Sequence, residues 1–418
     1  MKNNKNFWFY TIGRFISVIG SGIQMIALPL FILDITGSGT LMGVFSVLTL
    51  VPALITAPFS GILGDRKNRR NIMVLMDFGR GTLICFLAFL ALNGYMSIYV
   101  LFITQVFVSI MDSLFGSSSG ALMPELVPQE SLMEAISVRS SFDGIAYIIG
   151  PCLGGIIYAF GGIKTVFFLN GISFFLCGLI SLFIKYKKNI LNKDKISLKV
   201  FLRENGEIIS FIKESKGLLQ LFSFALITNF LLAPMIDIIF PYVFKKGIGF
   251  SADFYGYIFA SFTLGIVLGN VAIGLYFKKW SSKSLMQTGF IVETVALLLL
   301  CGFVFPEPVH IFGGASIYLF IVLAGFTFLT GFANALVNTP LNTNLQKMVP
   351  DSMRSRFFSL LGMFSQGATP IGCFIYGVLL DKVQYYYLLT SINIIAAFIT
   401  FYFLAKACDE VYEPKIAI

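Results

Sequence analysis

Residues 185–217 read "KYKKNILNKDKISLKVFLRENGEIISFIKESKG". This is the longest polar interval of the chain, and nine of its residues are Lys or Arg. Crossing the hydrocarbon of a bilayer takes roughly 20 apolar residues. Runs of that kind lie on both sides of it, at 8–33, 41–63, 72–92, 97–119, 136–160 and 163–184, then at 218–243, 254–276, 285–305, 312–336, 356–380 and 385–405. The interval therefore divides about twelve spans six and six. The expected organisation is an N-terminal six-helix bundle over 1–184, a cytoplasmic linker over 185–217 and a C-terminal six-helix bundle over 218–418. Within the linker, 197–214 reads either as an amphipathic helix with Val200, Phe201, Ile208 and Phe211 facing lipid or as a solvated linker helix.

Composition agrees with an all-α membrane protein. Of 418 residues, 57% are hydrophobic and 12% charged, with 46 Phe and a mean hydropathy of +0.85. Soluble domains carry about 25% charged residues. The net charge of +9 does not call for nucleic acid, because membrane loops collect Lys and Arg for topology. With the N-terminus inside, inner segments hold 24 Lys and Arg and outer loops four. Both termini are thus expected in the cytoplasm of a bacterial cell membrane. The opening "MKNNKNFWFYTIGRFISVIG" reads as a first spanning helix and not as a removable signal. Six scattered cysteines show no metal spacing and no CxxC,. With His310 as the single histidine, a metal site and His-based catalysis are not expected. No phosphate-binding GxxxxGK[ST] occurs, so an ATP-driven pump is unsupported. Neither an enzyme nor a cofactor is expected.

Two stretches stand out. "GIAYIIGPCLGG", 144–155, places four glycines and a proline in span 5. Each glycine costs a helix about 1 kcal/mol against alanine, and proline about 3. Pro151 predicts a bend near residue 147. Gly150 and Gly154 share a helix face, with Gly155 beside them, and a small face of this kind lets another backbone approach. A packing kink with no further role explains the segment as well as a moving interface does. "GILGDRKNRR", 61–70, joins spans 2 and 3. Cations there anchor the cytoplasmic side, but that leaves Gly61, Gly64 and Asp65 unexplained. Asp65 is read as capping span 3 or facing the positive end of a neighbouring helix.

These residues carry a resemblance. "GILGDRKNRR" resembles the loop motif of the major facilitator superfamily at Gly61, Asp65, Arg66, Arg69 and Arg70, with Asn68 where the family usually has Gly. "GPCLGG" resembles the antiporter signature of that superfamily at Gly150, Pro151, Gly154 and Gly155. The segment 13–43, "GRFISVIGSGIQMIALPLFILDITGSGTLMG", is similar to the macrolide-efflux and enterobactin-exporter branch, as is 48–70. The resemblance implies the major facilitator fold, two pseudo-symmetric six-helix bundles, with the loop motif holding the outward-facing state. It also implies that span 5 seals against a pseudo-symmetric partner region. A weak internal repeat agrees: "LVPQES" enters span 5 and "MVPDSM" enters span 11,. The second-half copy of the loop motif, "GLYFKKWSSKS", is degenerate.

Charges within spans are costly and few. They are Arg14, Asp77, Arg80, Asp112, Asp143, Asp237 and Glu293, with Asp34 at an outer end. Arg14, Asp112 and Asp143 share a depth and are expected to face one another, as a structural ion pair or a proton-responsive site. Glu293 is the deepest, although span 9 belongs by resemblance to the outer scaffold. A candidate proton-coupling network is therefore Asp143, Asp112, Arg14 and Glu293. Polar candidates for a substrate cavity are Gln24, Gln105, Tyr147, Asn229, Asn334 and Gln366. No midplane cluster of cations is present to hold a phosphate. The expected activity is proton-coupled efflux of a hydrophobic or amphipathic small molecule by a monomer. A lipid flippase or a siderophore or peptide exporter on the same fold remains open, and the sequence does not identify the solute.

Overall fold

The computed structural model describes residues 4–186 and 198–414; inside these, its side-chain description leaves out 58, 61–62, 65–66, 198–205, 351–352, 354–356 and 359. Helices account for all the regular structure among the described residues. In chain order they are α1 Lys5–Thr36, α2 Gly39–Arg66, α3 Arg69–Leu92, α4 Ile98–Leu122, α5 Leu132–Leu182, α6 Leu198–Glu214 and α7 Lys216–Pro234. They continue with α8 Ala252–Leu275, α9 Ser282–Phe303, α10 Pro306–Ile311, α11 Ile317–Met348, α12 Asp351–Leu380, α13 Tyr385–Lys406 and α14 Asp409–Tyr412. Eleven of the described helices are long and apolar enough to cross a membrane.

The eleventh-versus-twelfth difference lies in α5. A straight helix of its 51 residues is about 77 Å long at 1.5 Å per residue, far beyond one crossing of about 30 Å. It breaks at Gly162, whose φ of 65° and ψ of −176° form a combination that only glycine adopts readily. The break gives two spans, 132–161 and 163–182, close to those read from the sequence. No other residue of α5 leaves helical φ/ψ, so Pro151 sits in a continuous helix. Beyond α7 the helical path widens into two π-helical segments, Met235–Ile239 and Tyr242–Ile248. Each begins directly after a proline, Pro234 or Pro241, which removes an N–H from the hydrogen-bond ladder.

The chain packs as two compact units. One comprises Met1–Gly37, Val44–Asp194 and Ser251–Gly256; the other comprises Ser38–Gly43, Lys195–Phe250 and Tyr257–Ile418. The first turns of α2 and α8 therefore each belong to the opposite unit from the rest of their helix. In the first unit α5 packs on α1 and α3. In the second, α9 packs on α11 and α7 on α12. The repeat is visible locally: Pro128 and Pro350, each in a Val-Pro pair, hold extended ψ of 150° and 147° just before α5 and α12.

Three expectations are corrected. Helix α6 does not offer Ile208 and Phe211 to lipid. Ile208 is fully buried with Ile212, Leu218, Leu221, Phe357, Leu360, Val411 and Tyr412, and Phe211 packs on that cluster. Tertiary burial wins over the membrane surface because α7, α12 and α14 supply an apolar counterface. Val200 and Phe201 lie outside the described side chains. The tenth span starts at Ile317 and not at 312, because Gly313 and Gly314 (φ 80° and 78°) end the preceding turn. His310 sits exposed on the short α10 and not in a loop.

Candidate functional site

The glycine stretch of α5 is a two-sided contact. A methyl group on Gly150 would lie 3.0 Å from the Gly22 Cα and the Ile19 carbonyl oxygen of α1. On Gly154 it would lie 2.6 Å from the Ile23 carbonyl oxygen. Gly155 points elsewhere. A methyl there would meet the Ala252 carbonyl oxygen at 2.6 Å and the Gly256 Cα at 2.9 Å, in the first turns of α8 that belong to the same unit. Gly150, Gly154, Gly155 and Pro151 are all buried. The small face expected from the sequence is thus divided: Gly150 and Gly154 serve α1, and Gly155 serves α8. Backbones can approach this closely only where no Cβ intervenes.

A matching contact lies in the second unit. Methyl groups on Gly39 and Gly43 of α2 would lie 2.7 Å from the Gly377 and 2.6 Å from the Cys373 carbonyl oxygens of α12. It carries a helix cap. The Ser38 hydroxyl and the Gly39 and Thr40 amides donate to the Asp381 carboxylate at 2.6, 2.6 and 2.9 Å. A carboxylate on these amides also meets the positive end of the α2 dipole. Burial alone would push Asp381 up, but the donors from Ser38, Thr40 and Gly39 outweigh it and hold the carboxyl below its ordinary value.

The loop motif works as an anchor. The Arg69 guanidinium donates to the Ala121 carbonyl at 3.3 Å and to Glu125. Glu125 also accepts from the Tyr186 hydroxyl. Arg70 donates to the Ser181 carbonyl at 3.2 Å and to that of Leu182. The two arginines thereby tie the start of α3 to the ends of α4 and α5. Asn68, and not Asp65, caps α3: its Oδ1 accepts from the Asn71 amide at 3.2 Å. Asp65 falls in the last turn of α2. The side chains of Gly61, Asp65 and Arg66 lie outside the described ones.

Of the four residues expected to form one charge network, Arg14 and Asp143 are together, while Asp112 and Glu293 have other partners. Arg14 Nε donates to both oxygens of Asp143, at 3.0 and 3.2 Å. Arg139, one turn before Asp143, adds a second cation at 3.6 Å. Asp112 is not with them. It pairs with Arg80, which also binds Asp77. Arg80 is 3% exposed and lies between the rings of Phe115 and Phe174, each centroid 4.3 Å away. Shared depth along the membrane did not reveal which way each side chain turns around its helix. The Asp77–Arg80 spacing of three residues was the available signal.

Glu293 lies in the second unit, and Asn334 Nδ2 donates to it at 3.2 Å. The Asn334 oxygen in turn accepts from Asn338 at 2.9 Å. Span 9 thus turns its carboxylate inward, toward α11. Glu293, Asn334 and Asn229 line one cavity of about 100 Å³ among α7, α9, α11 and α13. The other cavity candidates lie elsewhere. Gln24 is buried and accepts from Asn170, and Gln105 is buried on α4. Tyr147 and Gln366 are exposed. Asn393, which also lines the cavity, was missed by the sequence reading; an amide alone in the apolar run 388–400 was its signal. Asp237 is exposed in the first π-helical segment, and Asp34 accepts from the Tyr158 hydroxyl. Among the described residues, no three His, Cys, Asp or Glu side chains come together to hold a metal ion.

Comparison with known proteins places this geometry. The family model described as "Transmembrane secretion effector" matches residues 3–413. Macrolide efflux protein A of Streptococcus pyogenes is 26% identical over 99% of the chain and 98% of its own length. The multidrug efflux pump Tap of Mycolicibacterium fortuitum is 23% identical over 87% of the chain and 86% of its own length. Among solved structures, the nucleoside transporter NupG superposes with a TM-score of 0.72 at 14% identity, covering 96% of this chain and 98% of the other. That likeness carries the fold alone.

Proposed function

The chain belongs to the transmembrane secretion effector family of the major facilitator superfamily, a family of efflux transporters and not of enzymes, and on that premise we propose that it exports a hydrophobic or amphipathic small molecule in exchange for protons. The proposed cycle is alternating access, run by a monomer in the bacterial cell membrane with both termini in the cytoplasm. Labelling of single cysteines in a cysteine-free background tests the orientation: reagent outside should reach position 307 and not position 68. The two bundles, 1–184 and 218–418, are proposed as the moving parts and 185–217 as their link.

One observation supports this reading above others. The "GPCLGG" segment lies backbone against backbone on α1 through Gly154 and on the start of α8 through Gly155. A structural kink needs neither approach. Two contacts that only glycine permits, made to two different helices, suit an interface that must close tightly and still part. Arg69 and Arg70 are proposed to hold the inner ends of α3, α4 and α5 together while it does so, with Asp65 and Arg66 completing the motif.

Asp143 is the proposed proton carrier. Arg14 and Arg139 lie beside its carboxylate. If α5 shifts against α1, the Arg14 contact lengthens and a proton can replace it. One proton moving down about 100 mV supplies roughly 2.3 kcal/mol, enough for about a fiftyfold solute gradient.

The test is growth of a drug-sensitive bacterial host expressing the chain, across macrolides, dyes and siderophores, with and without an uncoupler. Uncoupler-sensitive protection against at least one amphipathic compound is expected. Unchanged sensitivity to every compound in cells that carry the protein in their membrane would sink the proposal.

A further inference from the structure

The cavity in the second unit has a chemical character that export alone does not require. Glu293 is its one ionisable lining residue among the described residues. No Lys, Arg or His from α7, α9, α11 or α13 lines it. The contrast with the first unit is direct, since Asp77, Asp112 and Asp143 each touch an arginine.

Much of the wall's hydrogen bonding runs along its own helices. Asn229 Nδ2 donates to the Ala225 carbonyl at 2.8 Å. Asn338 Nδ2 is taken up by Asn334. Asn393 Nδ2 donates to the Leu389 carbonyl at 2.9 Å. The Thr228 hydroxyl donates to the Phe224 carbonyl at 2.8 Å. The Asn338 and Asn393 amides and one N–H of Asn229 are thus engaged by their own helices or neighbours. Acceptors are left over: Asn393 is 2% exposed and its Oδ1 has no partner, while Asn334 engages only one oxygen of Glu293. A buried acceptor without a donor costs about 1–3 kcal/mol. The remaining wall is apolar, from Leu232, Phe290, Leu297 and Val337.

We infer that this cavity is a binding site for a protonated amine, held by Glu293 as counter-ion and by the Asn393 Oδ1 as a second acceptor. The ammonium supplies N–H donors to these two acceptors and the positive charge that the wall lacks. A volume of about 100 Å³ is below the roughly 300–1,000 Å³ of sites that enclose a drug-sized ligand, so the cavity takes an ammonium head and not the whole molecule. The rest of the ligand must extend through the rim, where Asn229 and Asn338 are exposed. The inference rests on the export reading for its substrate, and it narrows that substrate to amphipathic amines.

The experiment uses the purified full chain in detergent and a matched pair of fluorescent probes, a dansyl-labelled hydrophobic tertiary amine and its uncharged amide counterpart. The wild type should bind the amine at least about tenfold more tightly, as one charge-assisted hydrogen bond provides. Glu293→Gln should erase that preference, bringing the affinities for the two probes together. A second measurement needs no variant: labelling of Glu293 by a hydrophobic carbodiimide, read by mass spectrometry, should be slowed by the amine and not by the amide. Equal binding of the two probes by the wild type, or an amine preference that survives Glu293→Gln, would overturn the site. An amine preference in binding without export of the amine from cells would instead remove the export reading and leave the site standing.

Discussion

Gly154→Ala adds one methyl group to the α1–α5 contact, and its cost can be worked from the structure. The new Cβ would lie 2.6 Å from the Ile23 carbonyl oxygen, where ordinary contacts begin at 3.4 Å. The obstacle is backbone, so no rotamer relieves it. The helices must part by about 0.8 Å locally. Forcing a methylene-sized group into a packed interior costs about 1–3 kcal/mol. Against this stands a helix-propensity gain of up to about 1 kcal/mol for alanine over glycine. The net expectation is a loss of up to about 2 kcal/mol. Gly144→Ala is the control: nothing lies within 4 Å of its Cβ position, so only the propensity gain remains. Thermal unfolding of the two purified variants, followed by loss of the monodisperse peak in size-exclusion chromatography, should place them on opposite sides of the wild type. Equal stability for the two variants would refute the close α1–α5 approach. Gly155→Ala provides a second contrast, because its methyl meets the start of α8 and not α1. It should reduce export more than it reduces stability.

Other expectations concern the charges. Asp143→Asn should abolish uncoupler-sensitive accumulation against a gradient while downhill exchange persists; uphill pumping that stays uncoupler-sensitive would reduce the Arg14–Asp143 contact to a structural ion pair. Arg80→Ala leaves the fully buried Asp77 without its cation, a change that costs about 3–5 kcal/mol in a buried pair; the yield of folded protein should collapse. Asp112→Asn, at a side chain 47% exposed, should be tolerated far better, and equal losses in the two would contradict the burial difference. The carboxyl of Asp381 is held below its ordinary value of 3.8, so its cap stabilises fully above that value and is lost as pH falls through the depressed one. The stability gap between wild type and Asp381→Asn should therefore stay constant from about pH 7 to pH 5 and close below about pH 4; a gap that widens on acidification would show the sign to be reversed.

Much of the fold was legible because a bilayer imposes a one-dimensional rule. Hydrocarbon thickness fixes span length, so apolar runs and polar intervals locate the crossings without any knowledge of packing. The break within α5 falls where the two apolar runs part, at Gly162, in a backbone conformation that only glycine adopts readily,. The motifs at 61–70 and 144–155 were likewise readable, because glycine, proline and clustered cations are conspicuous against an apolar background.

What the sequence by itself determined is the depth of each residue along its helix: Arg14 level with Asp143, Glu293 near the middle of its span, small residues at 150, 154 and 155. What only the tertiary structure decided is direction around the helix axis and therefore partnership. Arg80, not Arg14, holds Asp112. Gly155 faces α8 while Gly154 faces α1. Asp381 caps a helix more than three hundred residues earlier in the chain, and Ile208 turns into a protein core instead of lipid. The physical reason is that lipid and a neighbouring helix are both apolar surroundings. Hydrophobicity sends a helix into the membrane but does not distinguish its sides, and contacts between helices depend on shape and hydrogen bonding, which appear only when all the helices are in place.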